Sequence, residues 1–158
     1  MSPEIKTMRT VLFVCTGNTC RSPMAESIAR KMVASGAIDG LGPSDVLFVS
    51  AGLAAVDGAP ASMEVSEVLH RRGIEEDHRS LHLTSEMVEN ADLILAMTRS
   101  HVMGVENMTS ADATVRVESL DPERDILDPI GQGLDVYEST AEQIARAIPR
   151  HLEGLVVR

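Results

Sequence analysis

The 158-residue sequence has no tryptophan, one tyrosine and two phenylalanines. A pocket that sandwiches a phenyl ring between aromatic walls therefore has little to draw on. Cysteine is equally scarce. Cys15 and Cys20 stand five positions apart, cannot form a zinc site alone, and have no histidine at ligand spacing. In a reducing compartment such a pair is reactive more often than structural. No apolar run approaches the roughly 18 residues needed to span a bilayer. The segment from Met1 to Thr10 mixes Glu4, Lys6 and Arg9 with polar residues, and no signal-peptide core follows it. The expectation is a cytoplasmic protein, with residues 1–9 a flexible extension. Basic residues are also short: 14 against 24 acidic ones, for a net charge of −10. That balance argues against nucleic acid or an anionic membrane as partner, and any anion site must be a local device working against the global field. Length and composition fit one globular domain over 1–158, expected to act as a monomer.

What is present is an alternation of strands and helices. Thr10 to Cys15 is an unbroken apolar, β-branched run, suited to a strand buried on both faces. A polar turn over 16–21 leads to a helix for which Ser22 is the expected cap and Pro23 a good first residue. Its apolar stripe is Met24, Ala25, Ile28, Ala29, Met32 and Val33, closed by Gly36. The same reading gives a strand from Val46 to Ala51, a helix from Pro60 to Gly73, a short helix from Thr84 to Asn90 and a strand from Leu93 to Met97. It continues with a weak helix from Arg99 to Met108, a strand from Val115 to Leu120 and a final helix from about Val136. Pro149 predicts a kink or break in that last helix. The alternation implies an α/β fold with a parallel sheet, right-handed crossovers and helices on both faces. Sites in such folds lie at the carboxyl ends of strands. The loop from Asp121 to Asp135 is long enough to suggest a function.

The most informative stretch is Cys15-Thr16-Gly17-Asn18-Thr19-Cys20-Arg21-Ser22. A loop between a strand end and a helix start aims several backbone N–H groups at one point, with the positive helix end behind them. Such a concavity suits a tetrahedral dianion. Gly17 permits an unusual backbone conformation and Asn18 tolerates a left-handed one. Arg21 can grip two anion oxygens. The same field stabilises a thiolate at Cys15, making it a nucleophile, and Ser22 can hydrogen-bond the sulfur. A lone cysteine or glycine turn is usually inert, but here nucleophile, turn, arginine and helix start coincide.

Val14 to Glu26, VCTGNTCRSPMAE, resembles the active-site motif of the low-molecular-weight protein tyrosine phosphatase family. VSAG (Val49 to Gly52), GIEEDHRSLHLT (Gly73 to Thr84), ADLILAMT (Ala91 to Thr98) and LDPIG (Leu127 to Gly131) fall where that family has counterparts. The resemblance implies a three-layer α/β/α sandwich on a four-stranded parallel sheet. It also implies a phosphocysteine intermediate on Cys15, phosphorylated protein substrates, and no metal or other cofactor. The family's general acid is the Asp of an Asp-Pro pair; Asp128 matches better than Asp121, because a glycine-containing turn and the last helix follow it. Family residues that brace the loop correspond to Asn18, Ser50 and His78, whereas His70, His82, His101 and His151 have no assigned role. Cys20 could form a protective disulfide with Cys15 or simply pack beneath the loop. Thr19, where tyrosine phosphatases of the family often carry isoleucine, resembles the bacterial protein-arginine phosphatase branch. A smaller side chain with a hydroxyl makes room for a planar guanidinium. Ile130 follows Asp128-Pro129 where many relatives have an aromatic, and it departs from the arginine branch as well. Phosphoarginine is the first expectation and phosphotyrosine the second. An arsenate reductase would need further cysteines, a phosphocarrier would need neither Asp128 nor Arg21, and a binding module would need no nucleophile.

Overall fold

The computed structural model describes residues 8–110 and 114–156. Strands β1 (Arg9–Cys15), β2 (Val46–Gly52), β3 (Leu93–Ala96) and β4 (Val117–Ser119) form a four-stranded sheet in the order β2-β1-β3-β4. Every pairing is parallel. The interior place of β1 explains its unbroken apolar sequence. Val11 and Phe13 join one hydrophobic cluster, Leu12 and Val14 the other, and none of the four is exposed. Helices α1 (Arg21–Ala34), α2 (Met63–Arg71) and α5 (Leu134–Glu153) cover the first face. Helices α3 (Ser85–Asn90) and α4 (Arg99–Glu106) cover the second through Val88 and Val105. The result is the expected three-layer α/β/α sandwich.

From β1 the chain crosses through α1 to β2 on one side, then returns past β1 to β3 on the other. The carboxyl end of β1 is therefore where the strand order reverses, the place at which open α/β sheets bind ligands. Residues 15–22 occupy that point.

Several local expectations are corrected. Helix α1 begins two residues earlier than a Ser22 cap would allow; Cys20 is the capping residue and makes no side-chain capping bond. The Ser22 hydroxyl is engaged elsewhere, as described below. Helix α2 is shorter than Pro60–Gly73 because Ser62 caps it, accepting from Val65 N at 3.3 Å. The last strand is confined to Val117–Ser119, an edge strand paired on one side only, with β3. Helix α5 starts at Leu134 and runs through Pro149 without a break. Its buried stripe of Ile144, Ile148 and Leu152 holds the last turns against the core, so packing outweighs the missing N–H donor. Residues 1–7 of the expected extension lie outside the described residues, and Arg9 already belongs to β1, its N–H donating to Asp45 O at 3.0 Å.

Candidate active site

The 15–22 loop is organised around Asn18, which is fully buried and left-handed at φ 55°. The left-handed turn thus falls on Asn18 rather than Gly17, where a Cβ would meet only Thr19 Oγ1 at 3.8 Å. Asn18 Nδ2 donates to Ser22 Oγ at 2.8 Å and Ser50 Oγ at 2.9 Å, and Asn18 Oδ1 accepts from Leu81 N at 2.8 Å. His78 Nε2 donates to Asn18 O at 2.6 Å. The three residues expected to brace the loop, Asn18, Ser50 and His78, are brought together. Gly52, at the end of β2, lies against the same turn: a Cβ there would press on Thr16 O and stand 2.9 Å from Asn18 N. Both are backbone atoms with no room to yield, so this position admits no side chain.

Cys15 Sγ is buried at the bottom of the loop, 2.8 Å from Ser22 Oγ and 3.2 Å from the Asn18 N–H that donates to it. Ser22 Oγ already accepts from Asn18, which leaves its own proton free for the sulfur. Two donors converging on one sulfur suit an anionic thiolate better than a thiol.

Arg21 is buried as well. Its Nη1 donates to Ile126 O at 2.9 Å, and its Nη2 lies 3.5 Å from Thr16 Oγ1 and 3.8 Å from Asp128 Oδ2. The loop after β4 is tied down beside it. Ile126 N donates to Met97 O at 2.8 Å, and Arg99 N donates to Asp125 Oδ1 at 3.0 Å. The Asp128 side chain is 44% exposed, its carboxylate oriented by Ile130 N donating to Oδ1 at 3.1 Å. Asp121, the other Asp-Pro residue, is occupied by Gln143 Nε2 at 3.0 Å and Glu123 N at 3.0 Å.

Cys20 packs under the loop, its thiol donating to Ser62 Oγ at 3.6 Å and lying 3.8 Å from Tyr137 Oη. Burial pushes the Tyr137 phenol up to about 12, so it stays protonated. Both cysteines are free thiols. Thr19 is half-buried, its carbonyl accepting from Ser62 N at 3.0 Å, and Ile130 is exposed beside Asp128.

One histidine without an assigned role proves to belong to this site. His101, on α4, is buried with Nε2 2.8 Å from Thr16 Oγ1. Burial first, then the charge of Arg21, lowers its pKa to about 4, against opposing pulls from Asp125 and Asp128. The ring is neutral at pH 7. The contacts of His101, Ile126, Ser62 and Tyr137 span from 42 to 117 residues of chain. No local pattern in the sequence marks any of them as a partner of the loop. His70, His82 and His151 are engaged by Glu75, Ala55 O and Leu120 O respectively.

The arrangement can hold a tetrahedral anion above a thiolate, grip it with Arg21 and present it with a carboxyl group from Asp128. Comparisons with known proteins agree with that chemistry. A family model described as low molecular weight phosphotyrosine protein phosphatase matches residues 10–156. A protein-arginine-phosphatase of Geobacillus stearothermophilus is 38% identical over 149 residues, covering 92% of this chain and 95% of that protein. A protein-arginine-phosphatase of Bacillus subtilis is 35% identical over 138 residues, covering 85% and 88%. The crystal structure of a low molecular weight protein tyrosine phosphatase from T. tengcongensis is 40% identical with a TM-score of 0.81, covering 92% of this chain and 99% of that one.

Proposed function

The chain belongs to the low molecular weight phosphotyrosine protein phosphatase family, and from that premise we propose that it hydrolyses phosphoarginine in proteins through a phosphocysteine on Cys15. The observation that carries the phosphatase chemistry is the convergence of Ser22 Oγ and Asn18 N on Cys15 Sγ, with Arg21 buried in the same loop. The thiolate attacks phosphorus while the backbone N–H groups of residues 16–22 and the Arg21 guanidinium take up the charge on the equatorial oxygens. Asp128, as the carboxylic acid, gives its proton to the leaving nitrogen as the P–N bond breaks. The resulting carboxylate then removes a proton from water, whose oxygen attacks phosphorus and expels the Cys15 thiolate. The Ser22 hydroxyl and the Asn18 N–H stabilise the sulfur as it leaves.

Thr19 supports arginine as the phosphorylated residue, together with the non-aromatic rim of Leu127 and Ile130, both exposed beside Asp128. Two relatives named as protein-arginine-phosphatases point the same way. Phosphotyrosine is the second reading, favoured by the similarity to the T. tengcongensis enzyme. We place the activity in the cytoplasm, with 1–158 acting as one monomeric catalytic domain.

A panel of phosphoarginine and phosphotyrosine peptides at neutral pH tests this. Cys15→Ser should abolish turnover, Asp128→Asn should lower kcat by about a hundredfold or more, and Thr19→Ile should shift preference toward phosphotyrosine. Retained activity in Cys15→Ser would overturn the mechanism. An unchanged substrate ratio in Thr19→Ile would overturn the specificity argument.

A further inference from the structure

Thr16 is exposed at the mouth of the loop, whereas Cys15, Asn18, Cys20, Arg21 and Ser22 are buried. An exposed threonine on a polar loop is free to exchange rotamers. Here its hydroxyl is pinned by a buried imidazole, His101 Nε2, at 2.8 Å. The residue that carries it is anchored at the start of α4, where the His101 backbone N–H donates to the capping Thr98 Oγ1 at 3.0 Å. The same Thr16 oxygen lies 3.5 Å from Arg21 Nη2. A line of contacts therefore runs from α4 through His101 and Thr16 to the guanidinium.

His101 is poorly explained as a core residue. Its Nδ1 is buried and has no hydrogen-bond partner among the described residues. Leaving a polar atom in that state is unfavourable, and an apolar side chain of similar volume would avoid it. The charged groups that act on the ring are Arg21 on α1 and Asp125 and Asp128 in the loop after β4. A neutral imidazole holds the hydroxyl without adding a second cation beside Arg21. Either neutral tautomer can do so, since a hydroxyl both donates and accepts.

We propose that His101 is a positioning residue for the anion site: it fixes the Thr16 hydroxyl, and through it the Nη2 edge of Arg21, in the geometry that receives phosphate oxygens. The proposal rests on the reading of residues 15–22 as the phosphate cradle. Its test is competitive inhibition by inorganic phosphate together with the KM of a phosphorylated substrate. His101→Phe, which keeps an aromatic ring but removes both ring nitrogens, should raise both by about five- to tenfold, the loss of the one hydrogen bond that Nε2 makes. His101→Gln, whose terminal amide replaces Nε2, should return both to within about twofold of wild type. In the Thr16→Val background, His101→Phe should have no further effect on either constant.

The inference is overturned by an unchanged phosphate constant in His101→Phe, by failure of glutamine to restore it, or by effects of the two substitutions that multiply. If His101→Phe does not fold, His101→Asn takes its place, because its shorter amide falls short of Thr16. Wild-type protein that neither turns over substrate nor binds phosphate would instead overturn the cradle itself, and this inference with it.

Discussion

At the scale of single residues the site depends on groups that satisfy one another away from water. Asn18 is fully buried, and its amide and carbonyl meet Ser22, Ser50, Leu81 and His78. Cys15, Asn18 and Arg21 were legible from the chain because they lie within seven residues and their chemistry is local. His101 was not legible, since it lies 85 residues from its partner Thr16. Its titration yields a prediction. The pKa of His101 falls from 6.5 to about 4 on folding. The unfolded chain therefore binds a proton that the native state refuses as pH drops below 6.5. His101's contribution to stability is full above pH 6.5, declines as pH falls, and is lost once pH passes through about 4. For a buried ring this amounts to something on the order of 2–3 kcal/mol. Urea unfolding of wild type and His101→Gln across pH 4–7 should show the variant with the shallower loss. Parallel curves would exclude a neutral native imidazole.

At the scale of elements, periodicity located the strands and helices, while their ends were decided by tertiary partners. Ser22 is a reasonable cap by sequence, yet its hydroxyl faces Cys15 Sγ and Asn18 Nδ2, so α1 begins at Arg21 without a side-chain cap. Strand β4 is held to three residues because its one partner, β3, is itself only four residues long. Of the kink or break expected at Pro149, the break does not occur. Proline still removes one helical hydrogen bond there, and its ring crowds the preceding turn. Pro149→Ala should therefore stabilise the protein by about 1–3 kcal/mol, a rise in Tm of roughly 2–4 °C per kcal/mol for a chain of this size. Calorimetry checks it. An unchanged or lower Tm would mean that the proline contributes packing equal to its cost.

At the scale of the whole molecule, a net charge of −10 surrounds a site built for anions. The cradle acts at contact distance and is little affected by salt, whereas the global field acts over about a Debye length. Raising ionic strength from about 10 to about 150 mM should therefore increase kcat/KM for a phosphorylated substrate, by roughly twofold, by screening long-range repulsion. A fall over that range would show that the local positive field already controls encounter. The sequence by itself determined the α/β alternation, the buried first strand and the Cys15–Ser22 loop, because each is a property of neighbours along the chain. Tertiary structure alone decided three further points. It set the Ile126 carbonyl against Arg21, it made Gly52 obligatory where β2 passes the turn, and it brought His101 to Thr16. The physical reason is common to all three. The strand order reverses at the end of β1, so the loop that the sequence announces is completed by groups from β2, α4 and the loop after β4.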